Sequence, residues 1–247
     1  MTSKTTCLLD NADLSVRLSW YQPGAVMTEH AHDLGQVSIL LAGRLREIAR
    51  NHRADSSTAY IGFKPSGLSH ANVYGEAGAL ILSLNFPDQN CPASRGWNWQ
   101  AASREEITLA RQIAAETVPE TERRQFALDL AASALSHQNT EAIAPGWSRQ
   151  LRDQIEAGVP VDLNRAGQNF GLHPAHISRG FRKWFGAPPS LYALRCRMSR
   201  AVEALAAGEA AADAALDAGF ADQSHLIRTL KRETGFTPKQ LTRLLAA

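Results

Sequence analysis

Apolar positions along the chain fall into two regimes. From Leu8 to Phe86 they alternate with polar residues in short runs: Leu14 to Tyr21, Val37 to Leu41, Arg44 to Ala49, Ala59 to Phe63 and Ala79 to Phe86. Gly24, Gly43, Pro65 to Gly67 and Gly75 to Gly78 punctuate them. Side chains on a strand repeat every two residues, so this pattern predicts a small antiparallel barrel or sandwich. Beyond Ser103 the period lengthens to that of a helix. Ser103 to Glu106 is a capping box opening a helix to Val118. Pro119 starts a second helix to about His137, with Leu128, Ala131, Ala132 and Leu135 on its apolar side. Asp88 to Gln100 reads as irregular, and Asn139 to Gly146 as a linker.

The C-terminal part repeats itself. Gly171 to Pro189 recurs at Gly219 to Pro238: Arg179 and Arg228, Gly186 and Gly235, and Pro189 and Pro238 each stand 49 positions apart, whereas Gly171 and Gly219 stand 48 apart. The second copy therefore holds one extra residue between its glycine and its arginine. In the first copy Asp162 caps a helix up to Phe170, Gly171 closes it, and Pro174 starts the next. Ile177, Phe181 and Trp184 or Phe185 form that helix's buried stripe; Leu226 and Leu230 do so in the second copy. Ser190 to Ala207 predicts one long connecting helix, with Ala193, Leu194, Met198, Ala201, Val202 and Leu205 on its apolar face.

A helix, a tight turn and a second helix with basic and amide groups on its free face can enter a DNA major groove. Arginine forks onto guanine and glutamine pairs with adenine there. On the first recognition helix the face argument selects Ala175, Ser178 and Arg179 for base edges, with His176, Arg182 and Lys183 nearer phosphates. On the second it selects Gln223, Ser224, Ile227 and Arg228, with His225 and Lys231 toward the backbone. Arg179 and Arg228 have a rival role as internal ion-pair partners, for instance of Asp217 or Glu233. With these residues in hand, positions 147–246 resemble the DNA-binding domain of the AraC/XylS family of bacterial transcription regulators. The resemblance rests on the basic runs Arg179 to Lys183 and Arg228 to Arg232, on Gly186 to Pro189 and Gly235 to Pro238, on Arg197 to Ala201, and on Gly219-Phe220. It implies a cytoplasmic protein whose partner is double-stranded DNA. Ala166-Gly167 and Ala214-Ala215 depart from the family's larger aliphatic followed by alanine, and Leu226 and Leu230 replace frequent phenylalanines. Small residues there predict a less rigid first unit.

In the N-terminal part the spacing Gly24-x5-His30-x-His32-x3-Gln36-x6-Gly43, followed by Pro65-x-Gly67-x-x-His70, resembles the two motifs of the cupin fold. Gln36 stands where a cupin usually has glutamate, and Tyr74 where it usually has asparagine. His30 and His32, two apart on a strand, point to one face. If the barrel brings His70 beside them, three imidazoles and the Gln36 carbonyl form a candidate divalent transition metal site. The alternative is a pocket lining that hydrogen-bonds a small-molecule effector. In the resembled family the sensor is commonly a cupin-like barrel, and the helices after it often mediate dimerisation.

The expected architecture is thus α+β in two domains: a cupin-like sensor barrel over 1–100, a helical dimerisation or packing segment over 101–138, a linker over 139–146, and a helical double helix-turn-helix domain over 147–247. Charge sharpens the division. The net charge of +2 at 247 residues conceals a C-terminal part basic by five and an N-terminal part acidic by three, which places a polyanion partner on the former. Cys7, Cys91 and Cys196 are odd in number and far apart, as expected in a reducing cytoplasm without disulfides. No apolar run approaches a membrane span. The expected partners are double-stranded DNA, a small-molecule or metal effector, and a second copy of the chain, with no membrane and no catalytic residue. The rival reading is a metal-dependent cupin enzyme with an accessory helical domain.

Overall fold

The computed structural model describes residues 3–49, 52–87, 97–115, 117–136 and 144–246. Most of the predicted linker, and most of the stretch read as irregular, lie outside them. Eight antiparallel strands come first: β1 (Ser3–Asp10), β2 (Ser15–Tyr21), β3 (Val26–His30), β4 (Gly35–Ala49), β5 (His52–Ser57), β6 (Tyr60–Lys64), β7 (His70–Phe86) and β8 (Asn98–Ala101). They pair in the order β1-β2-β7-β4-β6-β8, with β3 added on β7 and β5 on β4, forming the eight-stranded sheet of the N-terminal barrel. The glycines that punctuate the sequence do not all end strands. Gly43 lies inside β4, where the register against β7 shifts on either side of it. Its φ of 91° needs glycine, and any Cβ there would overlap the Gly78 carbonyl. The two runs read as separate strands are therefore one bulged strand.

Two helices follow, α1 (Arg104–Ala114) and α2 (Glu120–Ser136). The Ser103 capping box is complete, Ser103 Oγ accepting from Glu106 N at 3.1 Å and Ser103 N donating to Glu106 Oε2 at 2.6 Å. The buried face of α2 is Ala127, Leu130, Ala131 and Ala134, and Ala132 is exposed. Of the predicted apolar side, Ala131 is buried and Leu128 packs on the core cluster, whereas Ala132 faces out because Phe126 and Leu130 take the other flank of the contact; the Leu135 side chain lies outside the described residues.

Seven further helices follow among the described residues: α3 (Gly146–Glu156), α4 (Leu163–Phe170), α5 (Pro174–Phe185), α6 (Pro189–Ala206), α7 (Ala211–Asp217), α8 (Gln223–Thr234) and α9 (Pro238–Ala246). The first repeat has its own core of Leu151, Ile177, Phe181, Phe185 and Tyr192. The second does not. Met198, Val202, Leu226, Leu230, Phe236 and Leu241 join one apolar cluster with Val16, Leu82, Ile107 and Leu130. Polar contacts reinforce this junction. The Gly43 N–H donates to Ser199 Oγ on α6 at 2.7 Å, and Thr58 Oγ1 lies 3.0 Å from the same oxygen. Arg44 pairs with Glu156 at 2.8 Å. Among the described residues no helix is long and apolar enough to cross a membrane.

Candidate functional site

The barrel brings the three predicted histidines together. His30 ends β3 and pairs in register with His70 at the start of β7, while His32 follows in the next loop. Ring centroids lie 4.3 Å apart for His30 and His70, 5.0 Å for His30 and His32, and 5.1 Å for His32 and His70. One ring nitrogen from each falls within 4.8 Å of the others. His30 Nδ1 lies 2.7 Å from the Thr28 carbonyl and His70 Nδ1 lies 3.0 Å from that of Leu68. A carbonyl only accepts, so each Nδ1 carries the hydrogen, and in the neutral ring that leaves the lone pair on Nε2. Both Nε2 atoms are buried without a partner. Two oriented, unsatisfied lone pairs beside a third imidazole fit a divalent transition metal.

Gln36 lines the same cavity, but its amide is already engaged, Nε2 donating to Asn85 at 2.8 Å and Oε1 accepting from Ser38 at 3.0 Å. The cavity is small, about 50 Å³, with Tyr21, Met27, Lys64, Asn72 and Trp99 also in its wall. At roughly 15 Å³ per water it admits an ion and a few atoms, not a bulky effector.

Beneath the histidines lies a buried ion pair that sequence reasoning missed. Glu47, 0% exposed, accepts from Lys64 Nζ at 2.9 Å. Its other oxygen accepts from the indole N–H groups of Trp97 and, at 3.2 Å, Trp99. With its amide nitrogen turned inward, Asn72 adds a donor 3.1 Å from Oε2. The signal was present in the strand period: Leu45, Glu47 and Ala49 share one parity and are buried, whereas Arg44, Arg46 and Ile48 are exposed. Burial alone raises the Glu47 carboxyl, but the Lys64 charge and the Lys64 and Trp97 hydrogen bonds outweigh it and hold the group below its usual range.

Burial, then Lys64 and the neighbouring histidines, pushes His32 down to about 4, and burial first lowers His70 as well. The unfolded chain therefore binds these protons at a higher pH than the folded one. Stability should be intact above pH 6.5 and decline as pH falls from 6.5 toward about 4, with Glu47 adding to the loss below its ordinary value of 4.5. Thermal midpoints across that range in metal-free buffer check this; a midpoint independent of pH between 6.5 and 4 would refute it.

The two repeats fold as helix-turn-helix units. Asp162 caps α4 by accepting from Asn164 N and Arg165 N at 2.9 and 3.0 Å, and Gly171 closes it at φ 64°. Gly167 has a use that the residue pattern alone does not show. A Cβ there would stand 2.7 Å from the Leu172 carbonyl, so its absence lets the turn close onto α4. His173 caps α5, accepting from Ala175 N at 3.2 Å, and Asp222 caps α8, accepting from His225 N at 2.6 Å. The extra residue of the second copy falls between Gly219 and this cap.

Ala175, His176, Arg179, Arg182 and Lys183 on α5 are exposed and Ser178 is half-buried. On α8, Gln223, Ser224, Arg228 and Lys231 are exposed, while His225 and Ile227 are half-buried. Glu233, the suggested ion-pair partner of Arg228, is instead held by Arg195 at 3.1 Å and Arg232 at 2.9 Å. Among the described residues neither Arg179 nor Arg228 makes a hydrogen bond or salt bridge. His225 leans edge-on against Phe220, with ring centroids 5.2 Å apart.

A family profile described as a helix-turn-helix domain matches residues 167–243. The Escherichia coli (strain K12) bifunctional transcriptional activator/DNA repair enzyme Ada is 33% identical over 86 residues, which are 35% of this chain and 24% of Ada. Residues 167–243 form an AraC/XylS-type helix-turn-helix domain. The chain spans about a quarter of Ada's length. Among solved structures, ToxT from Vibrio cholerae aligns over 96% of this chain and 99% of its own at 10% identity, with a TM-score of 0.43. KdgF from Halomonas sp. aligns over 35% of this chain and 81% of its own at 21% identity, with a TM-score of 0.33.

Proposed function

We propose that this chain is a sequence-specific DNA-binding transcription regulator whose barrel pocket holds its effector, a divalent transition metal or a very small molecule. One observation carries the DNA reading: two repeats of one unit each present basic side chains to solvent on the second helix, joined on α8 by the Gln223 amide, and the arginines at equivalent positions, Arg179 and Arg228, have no internal partner among the described residues. Arginines free of internal bonds can fork onto base edges, with Gln223 and Ser224 beside them on α8. Arg182, Lys183 and Lys231 are then the phosphate contacts.

Selection of binding sequences from random duplexes by the intact chain, followed by mobility shift, tests the reading. Binding should be specific and weaken with salt. Arg228→Ala should cost about 1–3 kcal/mol on the selected site and relax one position; unchanged affinity would remove Arg228 from the interface.

For the effector, His30, His32 and His70 would hold the metal through ring nitrogens, the metal supplying a Lewis-acidic centre when bound. Two of the imidazoles are pinned by backbone carbonyls, so little reorganisation is needed. Calorimetric titration with Ni²⁺ or Zn²⁺ should give one site per chain. His70→Ala should weaken it about 100-fold or more; equal affinity in the variant would place the metal elsewhere. The same convergent lone pairs suit the rival, a metal-dependent cupin enzyme. Stoichiometric iron with oxygen uptake, and no DNA binding, would favour that instead.

A further inference from the structure

The pocket and the two recognition helices are connected by one short piece of chain. Glu47, which anchors Lys64 beside the histidines, is gripped from the other side by the indoles of Trp97 and Trp99. Trp99 belongs to β8, where it lies opposite Gly62 of β6, and its ring fills the space a side chain at Gly62 would need. Two residues on, Ala101 ends β8 opposite Tyr60, and Ala102 N donates to the Ala59 carbonyl at 2.8 Å. The chain passes directly into Ser103, the cap of α1.

Both ends of this piece touch the same point of the two repeats. Gly186, the left-handed C-cap of α5, sits so close to Ala101 that a Cβ on the glycine would stand 2.5 Å from the alanine Cβ. Gly235, the left-handed C-cap of α8, abuts α1 so that a Cβ would stand 2.9 Å from the Arg111 carbonyl and 3.1 Å from its Cα. These two glycines are equivalent positions of the repeat. Neither contact tolerates a methyl group, so a shift of β8 or α1 against the barrel must be taken up by the corners of the recognition helices. The Arg111 guanidinium faces Glu233, Arg195 and Arg232 across the second contact, which places charge as well as shape at that corner.

We propose that Trp97 to Arg111 is a relay through which the occupancy of the histidine pocket is read at the C-caps of both recognition helices. It builds on the reading of that pocket as the effector site, and the regulator it describes couples through two glycine corners at once rather than through the linker. An ion entering beside His32 and His70 acts on Lys64, Lys64 on Glu47, and Glu47 on the two indoles that seat β8. Coupling of this kind requires that the ion favour one seating of β8 over another.

Hydrogen–deuterium exchange of the full chain, read by mass spectrometry, tests it in two arms. The first needs no ion. Trp99→Phe keeps the ring over Gly62 and removes one donor to Glu47; Glu47→Gln is the second variant should Trp99→Phe fold poorly. Exchange should quicken about five-fold in peptides covering 182–187 and 231–236, and stay unchanged over 146–170. Changes confined to the barrel, or spread evenly over all helices, would overturn the relay. The second arm adds Ni²⁺. Occupancy should alter exchange at both corners in the parent chain and at neither in Trp99→Phe, each protein being read at the Ni²⁺ concentration that saturates it by calorimetric titration. Bound Ni²⁺ without a response at the corners overturns the relay; no bound Ni²⁺ overturns the metal reading, and the first arm then decides the relay alone.

Discussion

Lys64→Met is expected to lower the unfolding free energy by about 3–5 kcal/mol at neutral pH. Lys64 is 6% exposed and Glu47 is fully buried, so removing the ammonium leaves a carboxylate with no route to water. The two indoles and Asn72 still donate to it, which places the loss toward the lower end. Replacing both partners by methionine should recover much of the loss, because a buried pair owes most of its apparent worth to the cost of leaving one charge alone. Recovery should be incomplete, since the indole N–H groups then lack an acceptor. Urea midpoints of the two single variants and the double, with unchanged slopes, supply the cycle. A single variant as stable as the parent would mean that the pair contributes nothing.

The second large effect is expected at Gly43. Gly43→Ala should cost about 3 kcal/mol, combining about 1–2 for a Cβ in the left-handed region with a further share for overlap with the Gly78 backbone. Gly24 is the control. It too has positive φ, 66°, but nothing lies within 4 Å of a Cβ built on it, so Gly24→Ala should cost only the conformational part, about 1 kcal/mol. Equal costs at the two positions, measured by urea unfolding, would show that the β4 bulge is not tightly packed.

What could be read from residues alone was what repeats. The 49-residue echo located both helix-turn-helix units, and the capping signals at Asp162 and Ser103 stand at the starts of α4 and α1. The histidine spacing located the pocket, although His32 lies in the loop after β3 and not on the shared strand face that two-residue spacing predicted. Three kinds of information were illegible. The continuity of β4 and β7 was hidden because a bulge glycine and a turn glycine look alike in sequence. Ser199 and Arg195 were hidden because a polar residue on the buried side of a helix reads as surface until its partners, Gly43 on β4 and Glu233 on α8, are known. Glu47 was hidden by its charge, although its parity on the strand pointed inward.

The division of apolar clusters separates the repeats by mechanical status. The first unit closes a core of its own and meets the barrel through polar links and one corner; the second has fused its interior with that of the barrel. Excising residues 147–247 would accordingly strip the inner flank of α6 and α8 of its cover, and the fragment should be sticky where the intact chain is not. It follows that a swing of a whole reader is open chiefly to the first, the second answering only by local adjustment at its Gly235 corner, and the pitch between two half-contacts on a duplex is the quantity such a swing would tune.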